Sequence, residues 1–386
     1  MTAPLAQYPT IIAQSVLLDA DGVRILDRRV FPFETSFVHC RTVEEVAVAI
    51  EAMVTQSNGP FFAAGAAMVL AAREADRSGD ARKPALMAAA AQRLIRTRPT
   101  NNNIRTIVGS VIDHVGQTGA GAEAIEAFVR ERWQERRELI RSVGVHAAGL
   151  VPEGGRILTH CWSEGALIET LRELKRVGRH VELWCTETRP YLQGARLTSH
   201  SAAELGIRAT VITDGMVAHA MQCQDISLLM TAADRVTLSG HVFNKVGTLT
   251  AAIAARHFAV PYVATVAQPD PAAPGPGDVH NEERDGEEVL HCMGARTASP
   301  LVQGWYPAFD ATPPELVSAV VTKDGVFAPL ALAGRYGPAA GNNGSGRATG
   351  GPADKQGDDT ASSAAASAPI VADAILFTMA AVLPCA

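Results

Sequence analysis

A thiol and a carboxylate stand where a small-molecule site would be built. Cys161 follows the short apolar run that ends at Leu158-Thr159-His160, and Asp234 follows the run Ile226 to Thr231. In open parallel sheets ligands bind beyond the carboxyl ends of the strands. An acid and a thiol placed there suit proton transfer on a bound substrate. The other groups that close apolar runs are Glu187-Thr188-Arg189, Asp214 and Arg235. Each taken singly reads equally well as a helix cap, but the whole set converging on one crevice exceeds what capping needs. Asn244-Lys245-Val246-Gly247-Thr248 opens a predicted helix, where free amides and a lysine suit an anion such as phosphate. The alternative there is an asparagine cap beside a solvated lysine.

The elements that must position these residues follow from hydrophobic periodicity. Thr42 and Glu45 form a capping-box pattern, and apolar residues then recur at helical spacing over residues 42–54. Further helices are expected at Phe61 to Ala75, Ala85 to Ile95 and Glu123 to Val143. After Pro152-Glu153-Gly154-Gly155 the pattern changes to short apolar runs at Arg156 to Thr159, His180 to Cys185, Ala209 to Thr213, Ile226 to Thr231 and Val260 to Val266. Helical stretches at Gly165 to Val177, Ser199 to Leu205, Met216 to Met221 and Asn244 to Phe258 separate them, the signature of βαβ units on a parallel sheet. The expected organisation is α/β: an N-terminal extension over 1–36, a helical domain over 37–150, a doubly wound, Rossmann-like domain over 151–333, and a Gly/Ala/Ser-rich tail over 334–386. The tail is too poor in large apolar groups to offset the entropy of ordering, so disorder is expected there.

Composition excludes several classes. With 386 residues, 47% of them hydrophobic, the chain can bury one or two substantial cores, and the usual domain size favours two. Its 34 basic and 40 acidic residues leave a net charge of −6, and no basic run or basic-aromatic stripe offers a nucleic-acid groove. Asp19, Asp21 and Arg24 interrupt the N-terminal apolar positions, which argues against a secretory leader and makes the cytoplasm the default location. The apolar stretch Ile370 to Leu383 is short for a bilayer and broken by Asp373, so no membrane span is expected. Six scattered cysteines without a Cys-x-x-Cys pair signal neither a disulfide framework nor structural zinc. There is no Gly-x-x-x-x-Gly-Lys-Ser/Thr loop, and the glycines of 116–121 neither have that spacing nor follow a strand. A nucleotide cofactor is therefore unsupported.

Five segments, in order, carry a resemblance: Arg98-Pro99-Thr100, Leu158-Thr159-His160-Cys161, the stretch from Glu187-Thr188-Arg189-Pro190 through Gln193-Gly194-Ala195-Arg196-Leu197-Thr198, Ala233-Asp234-Arg235-Val236, and Asn244-Lys245-Val246-Gly247-Thr248. Glu282-Glu283-Arg284-Asp285 and Pro307 to Glu315 extend it. Over about 20–330 the chain resembles the 5-methylthioribose-1-phosphate isomerases, whose fold is shared by the ribose-1,5-bisphosphate isomerases and by regulatory subunits of the translation-initiation guanine-nucleotide exchange factor. The resemblance implies an aldose-ketose isomerisation of a ribose 1-phosphate, without metal or organic cofactor, in a homodimer formed through the α/β domain. It implies Asp234 as the acid that protonates the ring oxygen and Cys161 as the partner in transfer between C2 and C1. It implies Arg98, Gln193, Asn244 and Lys245 as ligand-holding residues, with Arg98 and Lys245 suited to the phosphate. A carboxyl can donate at neutral pH only if burial raises its pKa, which apolar strand ends would provide.

Three segments depart from that pattern. Where the isomerases carry an Arg-Gly-Ala-Pro turn that helps hold the phosphate, this chain has Ser57-Asn58-Gly59-Pro60, so substrate contact by Ser57, Asn58 and Gly59 would rest on backbone amides and a neutral side chain. Ser239-Gly240-His241 replaces Asn-Gly-Asp, and Trp162-Ser163-Glu164 replaces small polar residues after the cysteine. These bear on substrate identity more than on reaction type. The first candidate substrate is 5-methylthioribose 1-phosphate; ribose 1,5-bisphosphate or another 5-modified ribose 1-phosphate is the alternative. A noncatalytic interaction protein is the alternative of another class, favoured by the altered turn and the tail, whereas retention of both Cys161 and Asp234 favours an enzyme.

Overall fold

The structure, a computed structural model, describes residues 5–79, 82–98 and 101–337. A short helix α1 (Thr10–Ala13) precedes an antiparallel sheet of β1 (Val16–Asp19), β2 (Gly22–Leu26) and β3 (Phe37–Cys40). Five helices follow: α2 (Val43–Glu51), α3 (Gly59–Ser78), α4 (Lys83–Thr97), α5 (Asn102–Thr118) and α6 (Ala122–Ala148). The Thr42 hydroxyl accepts from the Glu45 amide while the Glu45 carboxylate accepts from Thr42, so the capping box forms as its residue types imply. Helix α3 is buried along nearly all of Gly59 to Ala72 and runs through the centre of this layer, as a helix apolar all round must. Val16, Leu18, Val23 and Ile25 of β1 and β2 join the same core as Met68, Ile107, Val129 and Trp133. The first two strands, which fall within 1–36, thus pack with the helices.

The second layer is built on β4 (Gly155–Thr159), α7 (Ala166–Arg176), β5 (Val181–Thr186), α8 (Ser199–Glu204), β6 (Arg208–Ile212), α9 (Val217–Cys223) and β7 (Ile226–Ala232). Next come β8 (Arg235–Val236), β9 (Val242–Lys245), α10 (Thr248–His257) and β10 (Tyr262–Thr265). Four short strands, β11 (Glu283–Arg284), β12 (His291–Cys292), β13 (Ala295–Arg296) and β14 (Tyr306–Pro307), lead to β15 (Phe309–Thr312), β16 (Ala319–Thr322), β17 (Gly325–Phe327) and α11 (Leu332–Tyr336). The main sheet has the order β17-β16-β10-β7-β4-β5-β6, parallel except for the edge strand β17. Its chain direction reverses between β4 and β7, which is the switch point of a doubly wound α/β fold.

All five expected strands of this sheet are present, each offset by no more than two or three residues. One expectation is corrected. Asn244 and Lys245 do not open a helix; they end β9, which pairs with β15 in a small antiparallel sheet, and α10 begins only at Thr248. Val242 to Lys245 is buried along its whole length, as a covered strand is, and left-handed Gly247 separates it from the helix. The segment 370–383, Pro99 and Thr100, and the tail from 338 lie outside the described residues. Among the described residues no helix is long and apolar enough to cross a membrane.

The two layers meet where α6 crosses α7. A Cβ on Gly144 would lie 2.3 Å from Glu169 Cβ and 2.8 Å from the Thr170 amide nitrogen, so the helices touch backbone to backbone. Gly144→Ala is therefore expected to lower stability by about 1–3 kcal/mol, whereas Gly109→Ala in α5, where a Cβ meets nothing within 4 Å, gains about 0.5–1 kcal/mol from helix propensity. Urea denaturation of the two variants checks this, and an unchanged midpoint for Gly144→Ala would show that the helices separate freely.

Candidate active site

Strands β4 and β7 flank the switch point, and the loops leaving them carry Cys161 and Asp234. Cys161 adopts the left-handed region, with φ 70°, a conformation that a residue with a Cβ holds only when its surroundings over-determine it. They do: its amide donates to Thr188 Oγ1 at 2.9 Å and its carbonyl accepts from Thr198 Oγ1 at 2.7 Å. Thr188 is held in turn by Asp214, whose carboxylate accepts from the amides of Thr188 and Arg189 at 2.8 Å each. Asp214 is thus an anchor for the loop after β5.

Burial pushes the Cys161 thiol up to about 11, with the Lys245 ammonium and the Trp162 amide pulling it down and Asp234 and Asp214 adding to the rise. At neutral pH it is a thiol. Burial also raises Asp234, against the opposing pull of Lys245 and Arg98. The Asp234 side chain remains open to solvent, so water tempers this rise until a ligand displaces it. Its backbone amide donates to Phe243 O at 2.9 Å, fixing the turn.

Lys245 links the pair. It is buried at the end of β9, donates to Tyr306 Oη at 3.1 Å and lies 5.3 Å and 5.0 Å from the ring centres of Tyr306 and Phe309. Burial lowers its pKa, with Arg284 and Arg98 acting the same way and Cys161 and Asp234 opposing. Arg98, from the helical layer, donates to Met53 Sδ at 3.1 Å and stands 3.8 Å from Glu282. Arg284 pairs with Glu282 and Glu288 at 3.2 Å each and lies over the Tyr191 ring. Lys245 therefore acts on both the acid and the thiol, Arg98 on the acid, and Arg284 on Lys245. Beside them opens a cleft of about 580 Å³ whose lining includes Arg29, Met53, Gln56, Tyr191, Arg284 and Met293. Cys161, Asp234 and Lys245 are not in that lining; its Met53 meets Arg98, and its Arg284 acts on Lys245. The reactive groups, not this cleft, mark the candidate site.

The remaining residues expected at the site are placed as follows. Gln193 is buried and donates to Gln56 Oε1 at 3.3 Å, while its own Oε1 has no partner. That unpaired oxygen suits a ligand hydroxyl. Asn244 donates to Thr248 Oγ1 at 3.0 Å. Asp310 takes the helix N-terminus considered for an anion: its carboxylate accepts from the amides of Gly247 at 2.7 Å and Leu249 at 3.1 Å. Ser57 is exposed, with φ 56°. The Asn58 amide donates to Glu164 Oε2 at 2.9 Å, and its side chain bridges Glu164 O and Arg136. Gly59 begins α3 where a Cβ would collide with Thr55 Oγ1. Glu164 is completed by Arg28, fully buried, which meets both carboxylate oxygens at 2.9 Å. The turn therefore binds a carboxylate supplied by the chain itself.

Met53, Gln56 and Tyr306 carried no signal in the sequence. Gln56 adjoins the turn and Tyr306 precedes Pro307, so their roles arise from pairing across the fold. Among the described residues no three His, Cys, Asp or Glu side chains gather as metal ligands do.

Comparisons with known proteins bear on this arrangement. The Initiation factor 2 subunit family matches residues 61–329. The chain is 36% identical over 325 residues to the methylthioribose-1-phosphate isomerase of Thermotoga neapolitana, covering 80% of this chain and 93% of that one. It is 36% identical over 318 residues to the protein of that name in Anaeromyxobacter dehalogenans, covering 79% and 91%. Among solved structures, 5-methylthioribose 1-phosphate isomerase from Pyrococcus horikoshii superposes with a TM-score of 0.76 at 28% identity, over 86% of this chain and 99% of the other. The delta subunit of translation initiation factor eIF-2B from A. fulgidus superposes with a TM-score of 0.71 at 30% identity, over 82% and 96%.

The Arg28–Glu164 pair generates a direct test. Glu164→Ala leaves a buried guanidinium without its counter-charge and is expected to destabilise the protein by about 3–5 kcal/mol, whereas replacing both residues by methionine is expected to restore most of that loss. Denaturant melts of the two variants measure the difference.

Proposed function

The chain belongs to the Initiation factor 2 subunit family, with methylthioribose-1-phosphate isomerases among its relatives, and on that premise we propose that it is an aldose-ketose isomerase converting 5-methylthioribose 1-phosphate to the ribulose 1-phosphate. The observation that carries this reading is the placing of Cys161 and Asp234 on either side of the sheet's switch point, with Lys245 acting on both. A phosphate on C1 masks the aldehyde that sugar isomerisation needs, so the ring has to open first. In this reading Asp234 gives its proton to the ring oxygen as the bond from that oxygen to C1 breaks. Hydrogen then passes from C2 to C1 while the 2-hydroxyl loses its proton and becomes the ketone. Cys161, a neutral thiol, assists that transfer.

Arg98, Lys245 and Arg284 form the phosphate-binding side, and Gln193 and Asn244 orient the sugar hydroxyls. Ser57, Asn58 and Gly59 border the site, with Asn58 contributing through the Glu164 contact instead of through a free amide. A homodimer in the cytoplasm completes the reading, and Trp305 and Leu301, 75% and 92% exposed, offer apolar surface to a second copy. The likeness to the eIF-2B delta subunit supports a second reading, a noncatalytic interaction protein of the same fold. Retention of the thiol and the acid together favours the enzyme.

Purified protein assayed on ribose 1-phosphates with different 5-substituents is expected to produce a ketose 1-phosphate, fastest from the 5-methylthio compound. Asp234→Asn is expected to cut turnover by about 10²–10⁴-fold, the usual contribution of a general acid, and Cys161→Ser to lower it strongly with little change in binding. Because burial raises the Asp234 pKa, the acid keeps its proton to higher pH than an ordinary carboxyl and loses it as pH rises through the raised value. Turnover is thus expected to fall on the alkaline side. No ketose from any substrate would remove the isomerase reading.

A further inference from the structure

His160, next to Cys161, is buried against the turn that follows Lys245 at the end of β9. Its Nε2 lies 2.9 Å from Val246 O and its Nδ1 2.7 Å from Thr186 Oγ1. A carbonyl only accepts, so Nε2 carries the hydrogen. Burial disfavours the charged ring, with Lys245 acting in the same direction and Asp214 against it. In the neutral ring Nδ1 must accept, and Thr186 must donate to it. The Thr186 hydroxyl hydrogen is then spent, so at the 3.1 Å contact with Thr188 Oγ1 it is Thr188 that donates, its hydroxyl also reaching Thr186 O at 3.4 Å. Thr188 Oγ1 accepts from the Cys161 amide at 2.9 Å. Every hydrogen in the series has one direction: Cys161 amide to Thr188, Thr188 to Thr186, Thr186 to His160, His160 to Val246.

We infer that His160 is a positioning residue, fixing the Cys161 thiol relative to the Lys245 ammonium through this relay. One end is the backbone of Cys161; the other is the carbonyl immediately after Lys245. The relay crosses the ends of β4 and β5 and reaches the turn after β9, which belongs to a different sheet. Gly247 completes the seat, because a Cβ there would lie 2.9 Å from His160 Cε1 and 3.0 Å from Nε2. The left-handed Cys161 backbone needs such support, and the electrostatic effect of Lys245 on the thiol depends on the separation that the relay sets. The other titratable groups acting on the thiol are Asp234, Asp214 and Tyr306, beside the Trp162 amide. None of them bonds to His160.

The inference deepens the isomerase reading for turnover but is tested independently by thiol chemistry. In the full-length protein, alkylation of Cys161 by iodoacetamide is followed across pH by peptide mass mapping, which separates it from Cys292. His160→Leu is expected to slow alkylation at a given pH by about threefold or more, as the thiol titrates higher without the nearby ammonium. Its kcat is expected to fall at least about tenfold, the order lost when a reacting group drifts from position, with KM little changed. His160→Gln, whose amide can still donate to Val246 O, is expected to recover most of both. Thr186→Val, which removes the donor to Nδ1 at nearly constant shape, is expected to move both readouts in the same direction and serves if His160→Leu does not fold. A wild-type alkylation profile in His160→Leu or, where that variant does not fold, in Thr186→Val, or equal losses in the Gln and Leu variants, would overturn the inference. Because alkylation needs no substrate, a wrong substrate assignment leaves that result intact.

Discussion

The site depends on one topological constraint: consecutive parallel strands leave the sheet in opposite directions at the gap between β4 and β7. Crossovers running from that gap to either side cannot cover its carboxyl edge, so a crevice remains at that place. Cys161 and Asp234 are each the second residue past one of the two strands. Everything else arrives from elsewhere: Lys245 from the small antiparallel sheet, Arg98 from the helical layer, Gln193 from the π-helical region at Gly194–Thr198. The geometry of the site thus depends on how firmly three separate bodies are held against the main sheet. Gly144 at the α6–α7 crossing and the Arg28–Glu164 pair supply that rigidity between the layers.

Collecting charges in such a crevice sets a physical problem. Burial alone drives a carboxyl and a thiol toward their protonated forms and an ammonium toward its neutral form, and Lys245, Asp234 and Cys161 are shifted in those directions. Proximity partly reverses each shift, because the ammonium stabilises the two acids' charged forms and they stabilise the ammonium. Tyr306 and Phe309 add a π-face on which a desolvated cation is favoured. The balance leaves an acid able to hold a proton beside a cation that acts on it. Moving any one of them changes the protonation of the others, which makes placement as important as identity.

Much of this was legible in the sequence because it is local. A capping box, a run of alternating or continuous apolar residues, or a turn rich in glycine is written within ten residues, and α2, β4, β5 and β7 lie where those patterns fall. The reactive ends of the strands were legible for the same reason. In the sequence Asn244 and Lys245 resemble the start of a helix because α10 follows closely and because β9 is a short strand whose partner, β15, lies more than sixty residues further on. Gln56, Met53 and Tyr306 were invisible for a related reason: their positions matter only after the helical layer docks. No local pattern distinguishes such a glutamine or tyrosine from one in any covered loop.

The two departures at residues 57–60 and 162–164 illustrate the same point most clearly, since in the sequence they are separate and in the fold they are one feature. Glu164 Oε2 accepts the Asn58 amide, Glu164 O accepts the Asn58 side chain, and Arg28 closes on both carboxylate oxygens. A turn without an arginine has an amide to satisfy, and a glutamate three residues after Cys161 satisfies it. Burying that carboxylate demands a counter-charge, which Arg28 provides from the end of β2. Any one of the three residues would be unfavourable alone: an unpaired buried amide, an unpaired carboxylate or an unpaired guanidinium each costs several times what a satisfied contact contributes. Together they turn a segment expected to hold the substrate's anion into a neutral brace. Lys245 and Arg98, cations that act on Asp234 across the crevice, are left outside that brace.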